Sequence, residues 1–250
     1  MNNQIIVTTS WDDGHKLDLK LAGLLNKYSL KGTFYISKNY FEENRLTEAD
    51  ILAISKNHEI GAHTINHPDL AKISANESKK EIIESKLWIE SVIGGPVKMF
   101  CYPFGNYNGE IAVMVKEVGF KGARTVEQFI IDFPSDLFAF GTTIQTYPRP
   151  FRKKDRDHYF WGYLFQSFLQ TYSGARKMGI PAYKMISWKS MATSAFDIAL
   201  NKGQVFHLWG HSWEIEKYGM WEELSDFLKH ISSRPDCRYL TNGEITKHSV

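Results

Sequence analysis

Residues 5–14 are Ile5-Ile6-Val7-Thr8-Thr9-Ser10-Trp11-Asp12-Asp13-Gly14. The apolar run Ile5 to Val7 predicts a buried strand, and it leads into two carboxylates and a glycine. Just beyond, Leu17, Leu21, Leu24, Leu25 and Tyr28 fall on one helical face. This strand–turn–helix unit recurs. Thr33 to Ile36 predicts a second strand, and Thr47 to Lys56 a helix with Thr47 and Asp50 at capping-box spacing. Glu59 to Ala62 predicts a third strand ending at His63. Ser74 and Glu77 open a long helix to about Val92. Val97 to Tyr102 is a fourth strand, and Ile111, Met114, Val115 and Val118 stripe a helix stopped by Gly119. Gly122 to Val126 follows as a fifth strand, then Thr142 to Thr146 as a weaker sixth. Helices are expected over Asp155 to Lys177 and Ser190 to Asn201, and a strand over Gln204 to Trp209. Trp221, Leu224, Leu228 and Ile231 stripe the last helix, and Arg238 to Leu240 closes the sheet. Such alternation predicts a parallel α/β fold, either a barrel or a doubly wound sheet. In both, ligands sit at the C-terminal ends of the strands.

A chain of 250 residues fits one α/β barrel, and no linker, repeat or low-complexity tract divides it. A single domain over 1–250 is therefore expected. Hydrophobic residues at 43% and charged residues at 23% are ordinary for a globular protein. The formal charge of +2 creates no field that gathers nucleic acid or anionic membrane. Two cysteines, Cys101 and Cys237, exclude a disulfide framework and a Cys₄ zinc site. The start lacks the pattern of a secretory leader, and no run reaches the ~18 apolar residues of a membrane span. A cytoplasmic enzyme is the expectation.

Three polar clusters stand at predicted strand ends. Asp12-Asp13-Gly14 is an ordinary turn sequence on its own. In a site, one carboxylate serves as a hard ligand for a cation and the other as a base. His63-Thr64-Ile65-Asn66-His67 follows the third strand. Histidines at i and i+4 share one face of a helical turn and reach one metal. Thr64 stands where the H-E-x-x-H protease helix needs glutamate, so that motif is absent. Chance spacing among nine histidines is the competing account. Asp13, His63 and His67 together make a two-His, one-carboxylate set with positions left open for water and substrate. The third cluster is His207-Leu208-Trp209-Gly210-His211-Ser212-Trp213-Glu214. His211 lies where the chain leaves the strand and suits proton transfer, whereas His207 lies inside the apolar run as a core histidine. Trp209, Trp213, Tyr218 and Trp221 crowd this cluster and either offer ring faces to a ligand or pack beneath it. Phe151 to Asp157 is expected as a solvated loop, and Phe160, Leu164, Phe165 and Phe168 as the buried face of a helix.

These clusters, in this order, resemble the polysaccharide deacetylase family, which has a NodB homology domain and is carbohydrate esterase family 4-like. Trp11-Asp12-Asp13-Gly14 matches its first motif, an aromatic residue before Asp-Asp-Gly. His63-Thr64-Ile65-Asn66-His67 matches the second, His-Ser/Thr-x-x-His. Cys101-Tyr102-Pro103-Phe104-Gly105 approximates the third, Arg-x-Pro-Tyr-Gly, and Leu208 to His211 loosely matches the late Leu-x-His motif. The likeness is firm from Ile5 to Val126 and from Gln204 to Glu214. It is weak between them, so about 127–202 is expected as a divergent, insertion-like region. The fold implied is a distorted, incomplete (β/α) barrel.

The resemblance implies Asp13, His63 and His67 as ligands of a divalent metal, zinc first, with cobalt, nickel or manganese as alternatives. It gives Asp12 the place of the general base, His211 that of the general acid, and the Phe104 N–H that of an oxyanion donor. The third-motif arginine, which orients the base in relatives, is Cys101 here, and a thiol cannot make a guanidinium's bidentate contacts. Arg124, one strand further on, is the candidate substitute; the competing account is a surface arginine. Tyr102, Pro103, Phe104, Arg124 and Trp209 are the expected contacts on the substrate side. The implied activity is metal-dependent removal of acetyl groups from N-acetylated or O-acetylated sugars. Acetylated carbohydrate is then the expected partner, with no nucleic acid and no membrane. A related amidase acting on a small non-sugar C–N bond is the alternative. A catalytically silent carbohydrate-binding barrel is a third reading, against which the retained Asp12, Asp13, His63 and His67 weigh.

Overall fold

The computed structural model describes residues 4–148, 153–154, 158–159, 171–202 and 204–247. Its strands are β1 (Ile5–Asp13), β2 (Thr33–Ile36), β3 (Glu59–Ala62), β4 (Met99–Cys101), β5 (Gly122–Arg124), β6 (Ile144–Thr146), β7 (Lys153–Lys154), β8 (His158–Tyr159), β9 (Val205–Gly210) and β10 (Cys237–Tyr239). Eight of them form one sheet in the order β5-β4-β3-β2-β1-β9-β6, with β10 also beside β1. Every pairing in that sheet is parallel. Parallel neighbours need crossovers, and helices supply them. These are α1 (Asp18–Lys27), α2 (Glu48–Ser55), α3 (Ala75–Ile93), α4 (Gly109–Glu117), α5 (Trp188–Lys202), α6 (Ser212–Lys217), α7 (Trp221–Ile231) and α8 (Asn242–Ile245). Thr47 and Ser74 each close a full capping box, as their spacing predicts. The inward stripes of α1 to α4, including Leu21, Leu25, Ile51, Ile54, Ile82, Ile89, Ile111 and Val115, are buried against the sheet.

The sheet curls, and one irregular segment spans its two edges. Phe140 makes a parallel bridge with Arg124 of β5, and its N–H donates to the Ala123 carbonyl at 2.9 Å. A few residues later the Thr143 N–H donates to the His207 carbonyl of β9 at 2.9 Å, and β6 continues along β9. Part of the 127–202 region expected as an insertion is thus wall of the ring. The result is the distorted, incomplete barrel that the motif order implies.

Two expectations change. The first strand is not three residues long but nine, and both aspartates lie within it. Its polar end is buried because β2 pairs with Ser10–Asp13 on one side while β9 pairs with Ile6–Trp11 on the other. Backbone pairing on both flanks overrides the turn propensity of Asp-Asp-Gly. The helix expected over Asp155–Lys177 is also corrected, since His158–Tyr159 pair antiparallel with Lys153–Lys154 and helix is found at 171–178. Phe160, Leu164, Phe165, Phe168 and most of 151–157 lie outside the described residues.

Gly14 ends β1 at φ +77°, and a Cβ there would stand 2.6 Å from Ile36 Cγ2 on β2. A left-handed non-glycine residue costs about 1–2 kcal/mol before any clash. Gly14→Ala is expected to lower the unfolding free energy by at least that much in a urea titration. An unchanged midpoint and slope would contradict this account of the turn.

Candidate active site

Strand alternation sends neighbouring side chains to opposite faces, yet Asp12 and Asp13 both line one cavity of ≈ 360 Å³ at the mouth of the ring. The break is local: Asp13 has φ 84°, the left-handed region that a non-glycine residue adopts only when its surroundings hold it. From β3 come His63 and, four residues on, His67. This segment is not the helical turn that the i, i+4 spacing predicts. It is a loop with positive φ at Thr64 (66°) and His67 (55°). The His67 N–H donates to Thr64 Oγ1 at 3.0 Å, and a carboxylate oxygen of Glu81 on α3 accepts from the N–H groups of Ile65 and Asn66 at 2.8 and 2.9 Å.

Three donor atoms converge. His63 Nε2 and His67 Nε2 are 3.1 Å apart and lie 3.6 and 3.4 Å from Asp13 Oδ1. His63 donates its Nδ1 proton to the Cys101 carbonyl at 2.8 Å, which leaves Nε2 as a lone pair facing the cavity. Burial lowers the pKa of both histidines, that of His67 to about 4, so both imidazoles are neutral near pH 7. Donors bound at 2.0–2.1 Å to one tetrahedral ion stand roughly 3.3–3.4 Å apart. The observed triangle has that size, and its nitrogen and oxygen donors fit a divalent metal.

Asp12, at the same cavity, is paired with Arg124. The guanidinium Nη2 donates to both Asp12 oxygens, and Arg124 has no exposed surface. Cys101 and Arg124 are register partners on β4 and β5. The guanidinium that meets Asp12 thus comes from the strand beside Cys101. Trp209 and Tyr35 stack on the guanidinium with centroids 4.7 and 5.3 Å from Cζ. Burial alone would raise the Asp12 pKa, but Arg124, with smaller help from His63 and His211, holds it below the usual carboxylate value.

The third cluster divides as its positions suggest. His207 is buried within β9, where its Nε2 accepts from Ser10 Oγ at 2.8 Å. His211 stands at the strand's end and lines the cavity, with Nε2 3.9 Å from Asp13 Oδ2. It donates its Nδ1 proton to Glu214 at 2.6 Å. Burial alone would lower the His211 pKa, but the Glu214 hydrogen bond, then the charges of Asp13, Glu214 and Asp12, push it up to about 9.

Asp12, Asp13, His63, His67, Tyr102, Phe104, Trp209 and His211 all border the cavity. Two expected substrate contacts do not. Arg124 lies beneath it, spent on Asp12, because a buried carboxylate in a low-dielectric wall takes the nearest cation. Pro103 is buried in a one-turn 3₁₀ helix, while the following Phe104 (φ 58°) swings its ring outward against His67. Sequence reasoning missed Tyr40, Gln128 and Gln145 on the wall. It gave Glu214 no role, although an acid three residues past a strand-end histidine was the available signal.

Residues 2–123, nearly half of the chain, match the sequence profile described as polysaccharide deacetylase. Over these residues the chain is similar to the polysaccharide deacetylase family. It is 27% identical over 122 residues to a peptidoglycan-N-acetylglucosamine deacetylase of Bacillus cereus, covering 48% of this chain and 56% of that one. It is 27% identical over 126 residues to a chitooligosaccharide deacetylase of Azorhizobium caulinodans, covering 48% and 57%. The chain spans little more than half the length of these two relatives. A solved family 4 acetyl xylan esterase from Clostridium thermocellum, in complex with a cobalt ion, superposes with a TM-score of 0.57 at 18% identity over 97% of this chain and 91% of that one. The barrel thus shares the fold of that esterase over nearly the whole chain. The family match ends one residue before Arg124, so Arg124 and the His211 turn lie outside it.

Proposed function

We propose that this chain is a polysaccharide deacetylase that hydrolyses acetyl amides or esters on sugars with the help of a divalent metal, zinc first. The observation that carries the reading is the single cavity bordered by Asp12, by the Asp13–His63–His67 triangle and by His211 with its Glu214 partner. Asp13, His63 and His67 would hold a divalent ion, which when bound would supply Lewis acidity toward an acyl oxygen and acidify water. Asp12, kept ionised by Arg124, accepts the proton of the attacking water. The Phe104 N–H donates to the developing oxyanion. His211, whose Nδ1 proton is committed to Glu214, delivers the Nε2 proton to the departing nitrogen as the C–N bond breaks. Acetate and a free amine are the products.

The test measures acetate release from N-acetylated chito-oligosaccharides, acetylated xylan and small amides after loading with Zn²⁺ or Co²⁺. Acetate from the sugars supports the reading. Turnover of small amides alone supports the amidase alternative. Unchanged turnover after chelation overturns the metal-dependent scheme.

The two proton carriers set a bell-shaped pH profile. Activity falls as acid protonates Asp12 and as base strips His211. A hydrogen bond to a charged group is worth about 1.5–3 kcal/mol, or roughly one to two pH units. Glu214→Gln is therefore expected to move the alkaline limb to lower pH by that amount and leave the acidic limb in place. An unmoved alkaline limb would remove His211 from the acid role.

A further inference from the structure

We propose that Trp213 is a positioning residue that fixes Asp13 as a one-oxygen ligand and ties metal loading to the turn carrying His211; this rests on the metal-dependent reading above. The two oxygens of Asp13 have divided surroundings. Oδ1 faces His63 Nε2 and His67 Nε2 at 3.6 and 3.4 Å. Oδ2 accepts a hydrogen bond from Trp213 Nε1 at 2.9 Å, across 200 residues of sequence. An ionised carboxylate left to rotate can offer both oxygens to a cation. The indole N–H occupies one of them and holds the plane of the other.

The indole suits this task because it has one donor, no acceptor and no titration. Its ring is lodged against Phe41, with centroids 6.4 Å apart, and against His211 at 5.5 Å. The same first turn of α6 carries Glu214, which accepts from His211. One turn thus carries the proton donor, the carboxylate that orients it, and the support for a metal ligand. Asp13 also needs holding, since its φ of 84° is a conformation the backbone does not choose unaided. By linkage, a contact that favours metal binding is itself favoured by the metal, so loading Asp13 steadies the turn.

The test uses Co²⁺ on the full chain, with affinity from competition against a chromophoric chelator and coordination from the visible absorption band. Trp213→Phe keeps a ring and deletes the N–H. Losing such a partner costs 10–100-fold in metal affinity. The expected result is that loss, a changed Co²⁺ band, and an unchanged unfolding midpoint for the metal-free variant. Hydrogen exchange at 212–217 slows when Co²⁺ is added to the wild type and does not slow in the variant. Phe41→Leu removes a ring contact but keeps the N–H, and is expected to bind Co²⁺ as the wild type does. Equal affinity and an identical band in Trp213→Phe overturn the inference, as does an equal loss in Phe41→Leu, which would make the effect one of packing. A wild type that fails to bind Co²⁺ overturns the metal-dependent reading instead.

Discussion

Arg124→Met is expected to slow acetate release by about 10²–10⁴-fold at neutral pH, the range a general base contributes. The reason lies in what surrounds Asp12. It is 2% exposed, and Nη2 of Arg124 reaches both of its oxygens. Burial is the largest influence on its pKa and acts upward, and Arg124 is the largest opposing charge. With Arg124 gone, burial wins, the carboxyl shifts above its usual value, and the acidic limb of the activity profile moves to higher pH. Stability changes with a definite sign. In the wild type the lowered Asp12 pKa stabilises the fold above the unfolded-state value, and that gain is lost as pH falls. In the variant the raised pKa destabilises the fold at neutral pH, and the penalty shrinks as acid protonates the carboxyl. Leaving one partner of a buried pair unpaired costs about 3–5 kcal/mol, to be read from urea unfolding at pH 7 and at acid pH. Arg124→Lys restores the charge but not the fork that bridges both oxygens, so it recovers most of the stability and little of the rate. An unchanged rate and profile in Arg124→Met would mean that relatives' third-motif arginine has no substitute here.

The barrel was legible because buried parallel strands and amphipathic crossovers carry different periods, and the chain alternates them from Ile5 to Val126. The length of β1 was not. Ser10, Trp11, Asp12 and Asp13 look like a turn until β2 and β9 are seen to flank them, and that is long-range pairing. The metal triangle was legible as a set of residue types, but its geometry was read for the wrong reason. The spacing of His63 and His67 suggested a helical turn, whereas a loop pinned by Glu81 brings their Nε2 atoms together. Glu81 sits inside α3, and nothing local marks it as the anchor of a loop 15 residues upstream. Trp213 drew notice as an aromatic near a histidine. Its N–H partner, Asp13, lies at the other end of the chain, where no periodicity reaches.

His63→Ala is expected to abolish divalent-metal binding and to lower turnover by more than about 10³-fold, the equivalent of several kcal/mol of Lewis-acid stabilisation. His63 is the choice among the three ligands because it stands at the centre of the geometry. Its Nε2 lies 3.1 Å from His67 Nε2 and 3.6 Å from Asp13 Oδ1, and its Nδ1 proton is anchored on the Cys101 carbonyl. Removal leaves one imidazole and one carboxylate of the triangle, too few to hold a cation tightly. His67→Ala removes an imidazole whose Nδ1 has no hydrogen-bond partner among the described residues, so it is expected to weaken binding less for the same loss of one nitrogen. The measurement is Co²⁺ or Zn²⁺ affinity in parallel with acetate release, for both variants and for chelator-treated wild type. The order wild type, His67→Ala, His63→Ala in affinity, repeated in turnover, ties activity to the triangle. Retained turnover in His63→Ala, or in wild type freed of metal, would move the chemistry away from Asp13, His63 and His67 and leave Asp12 and His211 to act alone.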